Sequence, residues 1–255
     1  MPESPVATIR LLLAQCTAEE RLSLFRELRE TQQIHEFEAV IGASAEMILD
    51  AIHRAPELTR RMLRGVIADA SFRQFIARNV ADHGWKDVTP IGNFAYDYKL
   101  DDGSGPITVQ VKLQRSERGQ PVVKSGLRYG FGDEVFLTET QKSRTGTDSE
   151  DNKTHPYRYG EFDILAVSLQ PSTGKWDRYV STLGRWLIQG RQPSEITTMQ
   201  PVSMTPNEFW TDDFSTAAQW FRSETGDKRM RIEAAAKQAK KQTKKRPRSS
   251  VRRTK

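Results

Sequence analysis

Two neighbouring segments of the sequence carry polar side chains whose types and spacing could bind a metal ion and activate water. Asp97 lies in FAYDYKLDDG, and Gln110 and Lys112 lie in ITVQVKLQR, with 12 residues between Asp97 and Gln110. The residues DDGSG (101–105) between them favour a turn, which predicts a β-hairpin. Because side chains alternate along a strand, Gln110, Lys112 and Gln114 share one face and converge with Asp97 if the strands pair.

The chemistry that fits this set is hydrolysis of a phosphodiester, which needs a cation beside the scissile oxygens and an activated water. Mg²⁺ prefers hard oxygen ligands, usually one or two carboxylates with water and substrate oxygens. Asp97, the side-chain oxygen of Gln110 and the main-chain carbonyl of Val111 could supply them. Lys112 could hold or deprotonate the water if its surroundings lower its pKa. An ordinary solvated hairpin is the alternative, because Gln and Lys are common on the open face of a strand.

Taken together, the segments GWKDVTPIGNFAYDYKLDDG and ITVQVKLQR resemble the catalytic hairpin of the PD-(D/E)XK nuclease superfamily. The block ETQKSRTGTD…THPYRYGEFDILAVSLQPSTGKW resembles the part that follows it in type II restriction endonucleases with this fold. The resemblance covers about residues 40–190. It implies a PD-(D/E)XK restriction-endonuclease-like mixed sheet flanked by helices, with Mg²⁺ as cofactor and double-stranded DNA as substrate.

The resemblance assigns roles residue by residue. Asp97 matches the metal-binding acid, Lys112 matches the catalytic lysine, and Gln110 stands where the family usually has Glu or Asp. Since a neutral amide gives a metal ion less charge, a further acid could help. Glu46 resembles an acid on the helix before the hairpin, and Glu139 ends the next predicted strand.

The polar stretch 141–160 is predicted to be a long loop, and loops of this length in compact domains are usually functional or disordered. Arg and Lys can contact phosphates or guanine edges, and Asn can read adenine. The resemblance favours DNA contact over plain loop composition for this stretch. The expected DNA-binding residues are Gln114, Arg115, Gln141, Lys142, Arg144, Asn152, Lys153, Tyr157 and Arg158.

The elements that must position these residues follow from periodicity and capping. We predict helices over 18–31, 44–55, 58–67, 72–80, 183–189 and 214–221, and strands over 93–100, 107–113, 134–140, 161–169 and 176–181. The apolar run of EFDILAVSL predicts a central strand buried on both faces. Asp163, at its start, is expected to organise the loop by hydrogen bonding. The order of helices, strands and helices predicts one α/β or α+β domain. Its predicted parts are a helical part (1–83), a nuclease core (84–226) and a basic, partly disordered tail (227–255).

Charge is unevenly distributed along the chain. Residues 228–255 hold 13 Lys and Arg and one acid, a net charge of +12, so the remainder carries 6 − 12 = −6. The body must therefore meet an anion with a local patch, whereas the tail could bind phosphates without sequence preference. The single Cys16 excludes an intrachain disulfide and a Cys-based zinc site. With no long apolar run and no basic leader, we expect a cytoplasmic protein, and the resemblance to restriction endonucleases implies a bacterial or archaeal one.

The resemblance implies a Mg²⁺-dependent type II restriction endonuclease, with a cognate DNA methyltransferase as genetic partner. A homodimer is expected because a two-fold axis suits cleavage of a palindrome. Three alternatives stay open: a repair or mobile-element nuclease of the same fold, a non-catalytic DNA-binding protein with a decayed site, and a structural or RNA-binding protein built around its tail.

Overall fold

The computed structural model describes residues 4–132, 134–142, 156–223 and 228–232. It divides into two compact units, Met1–Leu63 and Arg64–Lys255. The functional division predicted after residue 83 stays a prediction. None of the helices in the described ranges combines the length and apolarity that crossing a bilayer requires.

The first unit is helical, and two of its helices, α2 (Ala18–Thr31) and α4 (Ala45–Arg54), begin at residues whose side chains cap them. Thr17 forms a reciprocal capping box with Glu20, and Ser44 accepts a bond from the Met47 amide. The buried Glu38 accepts bonds from the amides of Ile34, His35 and Ala45, which ties α3 to the start of α4. The helices of this part of the chain are α1 Pro5–Gln15, α2 Ala18–Thr31, α3 Phe37–Ile41 and α4 Ala45–Arg54, followed by α5 Glu57–Phe72, which continues into the second unit.

The second unit has a mixed sheet flanked by helices, as the sequence predicted for the fold class. The order in the main sheet is β1-β2-β3-β8-β9; β3 and β8 run parallel and the other neighbours are antiparallel. A second sheet has the order β10-β7-β6, and β4 pairs with β5. The strands are β1 Lys86–Asp87, β2 Tyr98–Asp101, β3 Pro106–Leu113, β4 Ser116–Glu117, β5 Gln120–Pro121, β6 Val123–Ser125, β7 Glu134–Glu139, β8 Ile164–Ser168, β9 Tyr179–Leu183 and β10 Met199–Ser203.

Helix α5 is followed directly by a π-helical segment, Arg73–Ala77, and by α6 Arg78–Ala81. The later helices are α7 Gln170–Thr173 and α8 Phe214–Arg222, with 3₁₀ turns at Leu127–Tyr129 and Gly184–Trp186. The two helices predicted over 58–67 and 72–80 are therefore one run without a break. The helix predicted over 183–189 is wrong, because β9 extends to Leu183 and only a single 3₁₀ turn follows.

Strand β8 lies at the centre of the core, as its continuous apolar sequence predicted. Ile164 and Ala166 belong to one buried apolar cluster, and Leu165 and Val167 belong to another. All five residues of β8 are buried. The strand is therefore covered on both faces, which fixes the position of its parallel neighbour β3.

Two hydrogen-bonded acids hold β3 in place. Asp163 accepts bonds from the amide and the hydroxyl of Thr108, at 2.8 and 2.7 Å, which joins the start of β3 to the segment entering β8. At the β2–β3 turn, Asp102 forms a two-pronged ion pair with Arg222 of α8. The turn of the hairpin and the start of β3 are therefore both held by side-chain contacts with other elements.

Candidate active site

Asp97 and Gln110 meet at the open end of the β2–β3 hairpin. Tyr98 is paired with Val109, and the Asp97 amide donates to the Val109 carbonyl at 2.9 Å, so Asp97 lies just before the start of β2. Its carboxylate accepts a bond from the Val111 amide at 2.7 Å and one from the Gln110 side-chain nitrogen at 2.5 Å. The convergence expected from the alternating sequence is present in the structure.

The carboxamide of Gln110 is buried, and both its nitrogen and its oxygen have partners. Its nitrogen also donates to the Val111 carbonyl at 3.1 Å, and its oxygen accepts a bond from the Tyr157 hydroxyl at 3.0 Å. The residue is only 3% exposed. The strand face carrying Gln110 is therefore not the open, solvated face of the alternative interpretation.

Lys112 lies on the same face of β3, with its ammonium close to Tyr157. The Nζ atom is 3.4 Å from the Tyr157 hydroxyl and 5.2 Å from the centre of its ring. Burial lowers the pKa of Lys112, while the negative charges of Asp97, Glu139 and Asp69 raise it in part. A lysine in these surroundings can hold a water molecule, and it gives up its proton more readily than an exposed lysine does.

Burial also changes the protonation of the groups around the lysine. It raises the pKa of Asp97 to about 6, opposed by the Val111 amide and the charge of Lys112. It raises the pKa of Tyr157 as well, so the phenol stays protonated and can donate to Gln110. Shifts of this kind are characteristic of functional sites, although ion-pair networks also produce them.

Asp69 is a site acid that the sequence interpretation missed. It lies on α5, and its charge shifts the pKa of both Asp97 and Lys112. Its Oδ1 atom is buried and has no hydrogen-bond partner among the described residues. Burial raises its pKa, opposed among others by the cations of Arg73 and Lys112. The sequence pattern that could have indicated Asp69 is its spacing of three residues from Phe72, which puts both residues on the same side of a helix.

The two acids expected to assist have different surroundings. Glu46 lies in the first unit, where its carboxylate is 2.6 Å from Arg29 and 3.7 Å from Arg26. Glu139 ends β7, bonds with Gln141 and lies 3.9 Å from Arg115. Glu139 contributes to the electrostatics of Lys112, whose pKa its charge raises in part. The charge of Glu46 is already compensated by arginine, whereas Asp69 keeps a carboxylate oxygen that has no partner in the described part of the chain.

The residues expected to contact DNA have different surroundings in the structure. Gln114 and Tyr157 are only 1% and 5% exposed, so their side chains pack inside the fold, and their contact with DNA stays a prediction. Arg115 pairs with Glu117 and Lys142 pairs with Glu161 at 2.6 Å, while Arg158 is exposed. The main chains of Gln141 and Pro156 form an isolated antiparallel β-bridge. Arg144, Asn152 and Lys153 lie outside the described residues, as does the tail beyond Ile232.

The donor set fits a magnesium ion with mainly neutral protein ligands. The Asp97 carboxylate and the Val111 main-chain carbonyl both lie beside the Gln110 carboxamide, whose nitrogen faces them, and Asp69 offers a buried carboxylate oxygen that has no partner among the described residues. Within the described ranges, no three His, Cys, Asp or Glu side chains are grouped so that they could hold a metal ion. Mg²⁺ tolerates this composition because it commonly keeps several waters and uses one or two carboxylates.

Comparisons with known proteins leave the function to be argued from this site. No protein-family model matches the chain, and no curated protein matches it. Among solved structures, the chain is similar to a bacterial homing endonuclease, I-Ssp6803I, with 21% sequence identity and a TM-score of 0.32 over 48% of this chain and 68% of that one. A similarity this low carries no argument about what the present chain does.

Proposed function

We propose that the protein is a Mg²⁺-dependent type II restriction endonuclease that hydrolyses phosphodiester bonds in double-stranded DNA at specific sites. The observation that carries the proposal is the convergence of a partly buried acid, the Val111 carbonyl, the buried Gln110 carboxamide and a partly buried lysine of lowered pKa on one hairpin. The restriction role itself, a homodimer, a cytoplasmic location and a cognate methyltransferase as genetic partner are proposed on the sequence resemblance alone.

In this proposal each side chain has a separate task. Asp97, Gln110 and the Val111 carbonyl would hold the ion, with Asp69 as an additional acid. A bound Mg²⁺ supplies positive charge for the phosphate oxygens and lowers the pKa of bound water. Lys112 would orient the attacking water, accept its proton when neutral, and offset the negative charge that builds up on the phosphorus centre.

One observation favours a second candidate, a DNA-binding protein without catalysis. The Gln110 nitrogen lies between Asp97 and the Val111 carbonyl, so both oxygens are satisfied by the protein itself. Buried polar groups that already have hydrogen-bond partners, as these two oxygens do, need no cation to satisfy them. In this second candidate, Gln110 marks a site that has lost its metal chemistry.

Incubation with unmethylated phage DNA, with and without Mg²⁺, separates the two candidates. We expect discrete fragments that require Mg²⁺. A smear, or cutting that depends on DNA structure, would indicate another kind of nuclease, and intact DNA across several metals would support the binding protein.

The variant Lys112→Met tests whether cleavage depends on the proposed lysine. Methionine keeps the apolar stem and removes the ammonium, so we expect cleavage to fall by about 100-fold or more while DNA binding is retained. Lys99→Ala, on the neighbouring strand β2, is the matched control and should cut like the wild type. Equal loss in both variants would contradict the role of Lys112.

A further inference from the structure

The hydroxyl oxygen of Tyr157 contacts both Gln110 and Lys112 of strand β3. Its hydroxyl donates to the Gln110 oxygen at 3.0 Å and lies 3.4 Å from the Lys112 ammonium, which can donate to it. Its ring packs edge-on against Phe162, with ring centres 5.2 Å apart. The tyrosine is therefore held by the core, and its hydroxyl faces the site.

The orientation of the Gln110 amide follows from the nature of its neighbours. The Val111 carbonyl can only accept a hydrogen bond, and an ionised Asp97 carboxylate can also only accept. The side-chain nitrogen must therefore face these two groups, and the oxygen must face Tyr157, as the structure has it.

A cation held by Asp97 and the Val111 carbonyl reverses this requirement. It repels the amide nitrogen and attracts the amide oxygen, so the carboxamide has to turn over before Gln110 can serve as a ligand. The nitrogen then faces Tyr157. A hydroxyl can donate in the first orientation and accept in the second, which neither a carbonyl nor an ammonium can do.

We propose that Tyr157 is a positioning residue that orients the Gln110 carboxamide in both states, as donor to its oxygen in the present arrangement and as acceptor for its nitrogen when a cation binds. This inference rests on the proposed cation site at Asp97. It also accounts for a glutamine at a position where the resembling family usually has an acid, because the amide satisfies Asp97 internally until the ion arrives.

Removing the hydroxyl affects the two orientations unequally. In the present orientation Tyr157→Phe leaves the amide oxygen without a donor, but the nitrogen keeps Asp97 and the Val111 carbonyl. In the reversed orientation the substitution leaves a buried N–H without its acceptor. Orphaned N–H groups are rarer in proteins than under-satisfied carbonyls, so the reversed orientation loses more. We expect Mg²⁺ affinity to fall by about fivefold to tenfold.

The test is a MgCl₂ titration of the full chain without DNA, followed by the side-chain amide resonance of Gln110 in ¹⁵N-labelled protein. The resonance is assigned by its loss in Gln110→Glu. Tyr159→Phe is the matched control, because its hydroxyl donates to the Leu187 carbonyl at 2.8 Å and it is not part of the site. Wild type and Tyr159→Phe should bind Mg²⁺ alike, and Tyr157→Phe more weakly.

On Mg²⁺ binding, the Gln110 amide protons should gain cross-relaxation with the Tyr157 ring in the wild type. Saturable binding with an unchanged amide environment would overturn the proposal, as would equal affinity in wild type and Tyr157→Phe. Absence of Mg²⁺ binding in the wild type would instead remove the proposed cation site, so the two failures are distinguishable.

Discussion

Asp97 combines a role in the fold with an unfavourable charge state. Its carboxylate accepts a hydrogen bond from the Val111 amide, and this bond is the last one between the two chain segments of the hairpin. Burial nevertheless raises its pKa to about 6, so the folded protein is destabilised when this group ionises. A residue kept under such a cost is a better candidate for function than one whose ionisation stabilises the fold.

We predict that Asp97 makes unfolding stability depend on pH between about 4 and 6. Because its pKa is higher in the folded protein than its ordinary value of 3.8, the folded chain binds the proton more tightly. Its contribution is fully present below about pH 4 and is lost as pH rises through 6, by about 3 kcal/mol at most. Denaturant unfolding at several pH values, without Mg²⁺, measures this.

Asp97→Asn is the comparison that isolates the effect from the other carboxylates. The difference in unfolding free energy between wild type and variant should change across this window in the direction given. A constant difference from pH 4 to pH 7 would show that the carboxyl titrates normally.

At the level of the elements, α5 and the hairpin bring a second acid to the site. Asp69 lies on α5, and its charge acts on the pKa of Asp97, whereas Glu46 on α4 is already paired with Arg29. Two acids on successive helices therefore have different expected roles, although both precede the hairpin in the chain.

Asp69→Asn and Glu46→Gln form a matched pair of isosteric substitutions. We expect Asp69→Asn to lower Mg²⁺ affinity or cleavage by about 10- to 100-fold, the range found when groups supporting a metal site are changed. Glu46→Gln should leave cleavage unchanged and reduce the unfolding free energy by no more than about 1 kcal/mol, as for partly exposed ion pairs. Cleavage rates against Mg²⁺ concentration would show the reverse order if Glu46 is the assisting acid.

The sequence predicted the elements whose signals are local. Helix α2 follows from the cap at Thr17 and α4 follows from Ser44, and the alternation and apolar run of β3 and β8 placed them within a few residues. The burial of the Gln110 face did not follow, because it depends on Tyr157, which lies 47 residues away.

Asp69 was missed for a related reason. The sequence divides 58–80 into two helices, which leaves Asp69 in a supposed connection, whereas that connection is part of α5, which continues to Phe72 and then into the π-helical segment. β10 was also missed, because it is stabilised by pairing with β7, about 60 residues earlier. Periodicity reports on one element at a time, and these features depend on contacts between elements.

For the whole molecule, the main contrast is between an acidic body and a basic C-terminal end. The first residues of the basic segment are attached to the second unit: Met230 is buried, its amide donates to the Trp186 carbonyl at 2.7 Å, and Lys228 lies over the rings of Trp186 and Phe209. The description of the chain ends at Ile232. The charge beyond it is known from the sequence alone.

We predict that removing residues 233–255 weakens DNA binding without removing the site chemistry. The deletion takes away 10 Lys and Arg and one acid, so the net charge changes from +6 to 6 − 9 = −3. Affinity for non-specific DNA should fall, and the slope of log affinity against log salt should decrease by about 0.9 for each phosphate that the shortened chain no longer neutralises. Binding isotherms at several salt concentrations measure the slope.

Cleavage at saturating DNA should persist in the shortened chain. If cleavage disappears while the protein stays folded, the tail is part of the function itself, as in the alternative of a protein built around its basic segment.

The attachment of Met230 also sets a geometric limit on the DNA footprint. Residues 233–255, a stretch of 23 residues, cannot by themselves reach further than about 80 Å from Ile232. At about 3.4 Å per base pair, that reach corresponds to about 24 base pairs of duplex in either direction. In a nuclease-protection footprint, the extra base pairs that these residues protect must therefore lie within about 24 base pairs of the DNA nearest to Ile232.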